Sequence, residues 1–261
     1  MKNTLLISAS LALLAPLSAH AAAVDLSGWK ENGYPNNSAG VWTVQGADND
    51  SVFQSINGQP TVFFDDGNNA QGKQLGGEIT VEETGGDDDF IGFVLGYQDG
   101  EITSTSADFW LIDWKQGNQS GQTSGLALSH VFGDLSGLGT GVSGEWWQHD
   151  APINEVQRGS TLGTTGWTDN ATNEFTLEFT SSLIKVVVNG STELEFTSAD
   201  NGGTAFTDGS FGFYNFSQDN VRYAGITEDV APSAPVPLPA SLPLMLAGLG
   251  AFALFRRRKA A

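Results

Sequence analysis

The 261-residue sequence contains no cysteine, which excludes disulfide bridges, thiolate catalysis and thiolate metal sites. Basic residues are few: 11 Lys and Arg stand against 30 Asp and Glu, so the formal net charge is −19. Such an acidic surface repels nucleic acid and anionic lipid and attracts divalent cations, so no nucleic-acid partner is expected. Histidine is also rare, and neither His130 nor His149 has the spacing of a zinc pair or a catalytic triad.

The sequence between residues 24 and 228 also lacks any window with the apolar period of a helix. Short alternating runs recur instead between clusters of Gly, Asn, Asp and Ser, and this pattern predicts an all-β protein. The number of strands and the length of the domain favour a sandwich of two sheets. The twelve predicted strands are 41–45, 51–55, 61–64, 77–82, 90–98, 109–115, 125–132, 175–180, 183–189, 192–197, 210–216 and 221–226.

Long apolar runs occur only at the two ends of the chain. Residues 1–21 combine Lys2, an apolar run and the small-residue exit Ala19-His20-Ala21, which predicts a secretory signal peptide, with a retained membrane anchor as the alternative. At the other end, residues 242–255 form a short apolar segment followed by four basic residues, which predicts a transmembrane segment with a cytoplasmic end. Residues 229–235 (DVAPSAP) have the composition of a linker.

The segment 236–261, which begins VPLPAS, resembles the VPLPA variant of the PEP-type carboxy-terminal sorting signal of proteobacterial surface proteins. The resemblance implies an exosortase-type processing enzyme as a partner, with cleavage near Pro-Leu-Pro-Ala. It also implies that the membrane is contacted only through this tail, and only transiently. An ordinary single-span anchor is the alternative interpretation.

The sequence is organised around residues 86–98 (GDDDFIGFVLGYQ), which place three carboxylates before a strand that is apolar on both faces. Such a strand is expected in the centre of a sheet. Gly92 and Gly96 have the same four-residue spacing as Trp110 and Trp114 in the strand 109–115. We therefore predict an antiparallel register in which Gly96 faces Trp110 and Gly92 faces Trp114, with each indole over a bare glycine backbone.

Carboxylates next to this central strand suggest a calcium site, because calcium takes six to eight hard oxygen ligands. The acidic run lacks the pattern of a self-contained calcium loop, so further ligands must come from elsewhere, such as the pair that follows strand 61–64. A solvated acidic turn is the alternative. Asp113 is unusual because its strand neighbours are apolar, and a buried carboxylate needs a partner such as Lys115 or a cation. The predicted metal ligands are Asp87, Asp88, Asp89, Asp65, Asp66 and Asp113.

Two other kinds of site have weaker support in the sequence. Glu78 and Glu82 flank Thr80 on one strand face, where laminarinase-like glycosidases carry Glu-x-Asp-x-Glu, so a divergent glycoside hydrolase is an alternative that the central Thr80 disfavours. Trp146 and Trp147, beside a Gly-rich loop, could form an exposed stacking platform for sugars, whereas packing in the core is the alternative for the two rings.

The run DDDFIGFVLGYQ followed by FWLIDWKQ resembles the carboxy-terminal, L-type-lectin-like domain of thrombospondins, and motifs as far as GSFGFYNFSQ (209–218) follow in the expected order. The resemblance implies a jelly-roll sandwich of the concanavalin or L-type-lectin kind over residues 24–228, bound calcium, a role in adhesion and no catalysis. Asp87, Asp88 and Asp89 match the acidic run of the family. The calcium-binding repeats that precede the animal domain are absent, so most of the calcium of the family is not implied here.

Together these features predict an exported, calcium-binding β-sandwich with an adhesive or structural role at the cell surface or in the extracellular matrix. The expected partner is an exopolysaccharide, a surface glycan or a matrix protein. A carbohydrate-binding lectin is the alternative function, and a divergent hydrolase is a weaker one.

Overall fold

The structure is a computed structural model, and it describes residues 21–34, 39–82 and 86–232. These residues form two antiparallel β-sheets, which we call the first and the second sheet. The first sheet has the strand order β13-β12-β11-β6-β15-β4-β3, with β1 also paired to β15, and the second has the order β10-β9-β8-β7-β14-β5-β2. Apolar side chains from the inner faces of both sheets form one core between them, which makes the molecule a sandwich.

The strands of the first sheet are β1 (Ala22–Ala23), β3 (Trp42–Gln45), β4 (Ser51–Gln54), β6 (Lys73–Val81), β11 (Asn173–Phe179), β12 (Leu183–Val188), β13 (Ser191–Thr197) and β15 (Val221–Val230). The strands of the second sheet are β2 (Lys30–Gly33), β5 (Thr61–Phe64), β7 (Phe90–Tyr97), β8 (Ala107–Lys115), β9 (Gly125–Gly133), β10 (Ile153–Arg158) and β14 (Ser210–Phe216). One short helix, α1 (Glu145–Gln148), and 3-10 turns at Leu26–Gly28 and Glu101–Thr103 complete the elements of the described residues.

All twelve predicted strands are present, and the prediction of an all-β sandwich is confirmed. Three strands were missed, because β1 is only two residues long and because β2 (KENG) and β10 (INEVQR) do not alternate apolar and polar residues. Strand β15 continues to Val230, so the linker predicted at 229–235 begins two residues too early. The predicted signal peptide, apart from residue 21, and the predicted transmembrane segment lie outside the described residues. Within those residues, no helix is long and apolar enough to cross a membrane.

The register predicted between β7 and β8 is wrong by one residue. Trp114 faces Ile91, Trp110 faces Leu95, and Gly92 faces Asp113. Each indole therefore lies beside an apolar side chain in the core between the sheets, not over a glycine. Gly92 is required for a different reason, since a Cβ atom there would lie 2.0 Å from the carbonyl oxygen of residue 112.

Gly96 forms a β-bulge in β7. Its φ of +72° is one that glycine adopts without strain, and the pairing with β14 shifts between Leu95 and Tyr97. The extra residue turns Tyr97 to the opposite face from Leu95, so Tyr97 lies in a second core instead of between the sheets. Simple alternation along the strand would put Tyr97 on the same face as Ile91, and the bulge prevents this.

The second core lies on the outer face of the second sheet, beneath residues 134–152, which we call the cap segment. Leu135, Trp146 and Trp147 of this segment pack against apolar residues of β7, β8 and β14. Trp146 and Trp147 are only 1% and 3% exposed. The two tryptophans are thus core residues, and the alternative of an exposed stacking platform is wrong.

Candidate functional site

The carboxylate of Asp89 at the start of β7 is neutralised by a lysine. The ammonium of Lys115 lies 2.7 Å from Asp89 Oδ1 and donates to the carbonyl oxygen of Asp88 at 3.1 Å and to Gln119 Oε1 at 3.0 Å. It also lies over the rings of Phe90 and Trp147, 5.1 and 4.8 Å from their centroids. Lys115 therefore occupies the place beside Asp89 where a metal ion was expected.

The other two members of the acidic run are closer to solvent. Asp87 accepts a hydrogen bond from Asn57 Nδ2 at 2.8 Å, and Asp88 Oδ1 lies 3.6 Å from the ammonium of Lys115. Both residues lie directly before β7, where the sequence places them.

Asp65 and Asp66 lie at the opposite end of the second sheet from the acidic run. The backbone N–H of Asp65 donates to the carbonyl oxygen of Phe211, which is paired with Leu95 near the far end of β7. Asp89 and Leu95 are six residue steps apart along the strand, a distance of roughly 20 Å. Asp66 forms an ion pair with Lys30 at 2.6 Å. The two aspartates therefore cannot complete a metal site with the acidic run, and that part of the prediction is wrong.

Asp113 is buried on the outer face of the second sheet, and its partner is a histidine of the cap segment. His149 Nε2 lies 2.9 Å from Asp113 Oδ2, an ion-pair distance without the alignment of a hydrogen bond. Burial alone lowers the pKa of His149, but the neighbouring Asp113 carboxylate outweighs burial and raises it overall. Lys115, the partner predicted for Asp113, pairs with Asp89 instead.

The six predicted ligands do not form one site. No three His, Cys, Asp or Glu side chains of residues 21–34, 39–82 and 86–232 are grouped so that they could hold a metal ion. Calcium binding near Asp87 and Asp88 stays a prediction.

Glu78 and Glu82, the two carboxylates of the alternative hydrolytic site, have different surroundings. Glu82 makes a two-pronged ion pair with Arg222, whose Nη2 lies 3.1 Å from Glu82 Oε2. The hydrogen bond from Arg222 lowers the pKa of Glu82, which makes this carboxyl a poor proton donor. Glu78 lies on the solvent side of β6, beside Glu174 of β11. The geometry does not favour a hydrolytic pair.

One open cleft combines aromatic and hydrogen-bonding side chains, and we call it the aromatic cleft. It lies at one end of the sandwich, between the β8–β9 pair and the loop that joins β13 to β14, and has a volume of about 220 Å³. The lining residues are Asp108, Trp110, His130, Phe132, Asn201, Thr204, Ala205, Phe206 and Thr207.

Strand geometry brings four of these side chains together. Asp108 faces Phe132 and Trp110 faces His130 across the β8–β9 pair, so all four point to the inner side of the sheet. The His130 ring stacks on Trp110, with ring centroids 4.3 Å apart and an interplanar angle of 10°. Phe132, at the end of β9, is 61% exposed. The core between the sheets thus ends at this cleft in an aromatic surface that solvent reaches.

Asp108 is the polar centre of the aromatic cleft. Its Oδ1 lies 2.9 Å from His130 Nε2, and its Oδ2 accepts a hydrogen bond from Thr207 Oγ1 at 2.7 Å. Asn201, on the facing loop, donates from Nδ2 to the carbonyl oxygen of Thr204. The contacts with His130 and Thr207 fix the Asp108 carboxylate in position while leaving it a third exposed.

The sequence did not single out this cleft. The sequence predicts residues 125–132 only as a strand, and the spacing between the histidines does not reveal the strand partner of His130. The polar Asp108 and His130 occupy inward positions of two strands whose other inward residues are apolar, and this is the signal that could have revealed them.

A family model described as the thrombospondin C-terminal region matches residues 37–230, which is most of the chain. The chain belongs to this family. The resemblance stated from the sequence is thereby confirmed for the thrombospondin C-terminal domain. A second model, the PEP-CTERM protein-sorting motif, matches residues 235–259, which confirms that the chain carries an export-linked sorting signal at its carboxy terminus. A comparison with curated proteins finds no match.

Two solved structures resemble the thrombospondin C-terminal domain of this chain, both with a TM-score of 0.51. One is the carbohydrate-binding module CBM66 from Bacillus subtilis, at 10% identity over 77% of this chain and 95% of that one. The other is a protein of unknown function with a galectin-like fold, also from Bacillus subtilis, at 12% identity over 79% and 92%. Similarity at this level of identity concerns the fold, and it agrees with the predicted jelly-roll sandwich.

Proposed function

We propose that this exported thrombospondin C-terminal domain binds carbohydrate through the aromatic cleft. The observation that carries the proposal is the exposed ring of Phe132 directly across the strand pair from the fixed carboxylate of Asp108. A sugar ring has an apolar C–H face that packs on an aromatic ring and hydroxyl groups that donate to carboxylate oxygens. The cleft offers both kinds of contact side by side.

The sorting motif supports the cellular setting of this proposal. A PEP-type tail implies that the domain is exported, and outside the cell it meets exopolysaccharide and surface glycans. Binding such glycans would give the domain an adhesive role at the cell surface or in the matrix. One of the similar structures is a carbohydrate-binding module, so this kind of fold serves carbohydrate binding in another protein.

The proposed activity is binding and not hydrolysis. Asp108 is the one carboxylate among the residues that line the aromatic cleft. Glycoside hydrolysis generally needs two carboxyl groups on opposite sides of the scissile bond, separated by roughly 5 to 9.5 Å. The cleft therefore has the means to hold a sugar but lacks the pair that cleaves one.

The test is a glycan array followed by titration calorimetry with the glycans that bind. Phe132→Ala removes the exposed ring and should weaken binding at least tenfold, which corresponds to about 1.4 kcal/mol. The matched control is Val41→Ala, which shortens an exposed apolar side chain outside the cleft and should leave affinity unchanged. Failure of the wild-type domain to bind any glycan would overturn the proposal, as would equal effects of the two substitutions.

A further inference from the structure

The aromatic cleft contains one fixed negative charge, the carboxylate of Asp108, which lies beside the imidazole of His130. Its lining residues include Asp108 but neither lysine nor arginine. The surrounding domain makes the electrostatic potential of the cleft more negative, because the chain without its terminal segments has six Lys and Arg against all 30 Asp and Glu. A low-dielectric cleft of one sign of charge repels ligands of the same sign.

The hydrogen-bonding groups of the cleft are suited to hydroxyl donors. The Asp108 carboxylate makes one contact from each oxygen, to His130 and to Thr207, and a carboxylate has about four lone-pair sites. Two sites therefore remain to accept hydrogen bonds from neighbouring hydroxyls of a sugar. A sugar carboxylate would offer no donor at the same place and would bring a second negative charge within a few ångströms of the first.

The size of the cleft limits how much sugar can enter it. Its volume of about 220 Å³ is below the roughly 300–1,000 Å³ of sites for drug-sized ligands. Trp110 and Phe206, both buried, close its floor. The space suits a single sugar ring and not a longer stretch of polysaccharide.

From charge, hydrogen bonding and size together, we infer that the aromatic cleft selects a single uncharged sugar ring and rejects uronic acids. This inference rests on the proposed carbohydrate binding and specifies its ligand class. Phe132 stacks on the apolar face of the ring, while Asp108 accepts from two of its hydroxyls. The negative charge of Asp108 is then the element that distinguishes neutral from acidic glycans.

The experiment compares matched probes, neutral hexosides and the corresponding uronides with the same aglycone, at about pH 8, above the range in which histidines usually titrate. The wild-type domain should bind the neutral member at least ten times more tightly. Asp108→Asn keeps the shape of the side chain and removes its charge, so the ratio of the two affinities should fall towards one. Glu174→Gln makes the same change in net charge on the solvent face of β11 and should leave the ratio unchanged.

The outcomes separate this inference from the proposed function. Equal or tighter binding of the uronide by the wild-type domain would overturn the inference while leaving carbohydrate binding intact. The same holds if Asp108→Asn and Glu174→Gln changed the ratio equally, because the selection would then come from overall charge. Binding of neither probe class, together with an empty glycan array, would overturn the proposed function itself.

Discussion

Lys115 is a cation with almost no contact with solvent, since only 1% of its side chain is exposed. A buried ammonium is tolerated when its donors are all used and a counter-charge is adjacent. Lys115 meets both conditions through Asp89, Gln119 and a backbone carbonyl oxygen. At the scale of single residues, it fixes the start of β7 to the end of β8.

Replacing Lys115 with methionine should therefore destabilise the domain strongly. Lys115→Met leaves the buried Asp89 carboxylate without its partner, and the free energy of unfolding in urea should fall by about 3–5 kcal/mol. The matched control is Lys185→Met, which removes a partly exposed lysine 3.6 Å from Glu195 and should cost only about 0–1 kcal/mol. Adding Asp89→Asn to Lys115→Met should recover part of the loss. Similar losses for the two single variants would show that the buried pair has no special role.

The strands illustrate what could be predicted at the scale of elements. Alternating apolar and polar residues at 175–180 locate β11. The pair Asn189-Gly190 is typical of a type I′ hairpin turn, and its two residues have positive φ values of 49° and 78°. The bulge at Gly96 could not be predicted from spacing, because it depends on pairing with β14, more than 100 residues later in the chain. Pairing across such a separation is a property of the whole fold.

The same limit explains the errors at the candidate sites. The acidic run precedes β7, whereas Asp65 and Asp66 follow β5. Both strands pair antiparallel with β14, so they point in the same direction and place the two groups at opposite ends of the sheet. The sequence alone does not show this pairing. Lys115 and Asp113 are two residues apart on one face, so they were expected to pair, but each found a closer partner from another part of the chain. Long-range contacts decide which charges meet.

The bulge in β7 supplies a prediction about this element. Gly96→Ala places a Cβ atom 2.8 Å from the carbonyl oxygen of Thr207 at a positive φ, and we expect a loss of about 1–3 kcal/mol in the free energy of unfolding. Gly28→Ala is the control, because a Cβ atom there has no neighbour within 4 Å. Denaturation midpoints report both changes. An unchanged midpoint for Gly96→Ala would mean that the bulge is not required.

The ion pair between His149 of the cap segment and Asp113 of β8 helps to hold the cap segment to the second sheet, and its strength depends on pH. The pKa of His149 is raised in the folded domain, so its contribution to stability is fully present below the unfolded value of about 6.5 and is lost as the pH rises through the folded pKa. Besides Asp113, the charges that act on His149 are Glu155, which raises its pKa, and Arg158, which lowers it.

His149→Asn tests this contribution. His149 has a φ of +51°, and asparagine tolerates that backbone conformation well. The difference in the free energy of unfolding between wild type and variant should be largest at acidic pH and should shrink as the pH rises above neutrality. Urea denaturation across that range measures it. A difference that stayed constant with pH would show that the histidine contributes packing alone.

At the scale of the whole molecule, the basic residues are fully used. Each of the six Lys and Arg in the described part of the chain forms an ion pair with an Asp or Glu. The Asp and Glu residues of the domain far outnumber these six Lys and Arg, so the folded domain carries a large net negative charge. Cations in the medium must supply the rest of the balance.

Calcium should therefore raise the melting temperature, with Asp87 and Asp88 as the expected ligands. An ion that binds only the folded state at one hundred times its Kd adds about 2.7 kcal/mol to the free energy of unfolding. Thermal melts with millimolar calcium, with chelator and with Asp87→Asn combined with Asp88→Asn measure the effect, and the double variant should lose most of it. Sodium chloride at equal ionic strength is the control. If it gave the same rise as calcium, the effect would be general screening of charge, and the acidic run would be a solvated turn.

Strand β15 determines how the domain responds to a mechanical load. It is the last strand of the described residues, yet it lies inside the first sheet, paired with β6 along most of its length and with β4 and β1 on its other side. When force is applied at the carboxy-terminal end of the domain, tension runs along β15. Antiparallel hydrogen bonds lie perpendicular to the strand, so this tension loads them in shear, and many must break together instead of one after another. A strand in this interior position thus makes the domain resistant to force applied at its carboxy-terminal end.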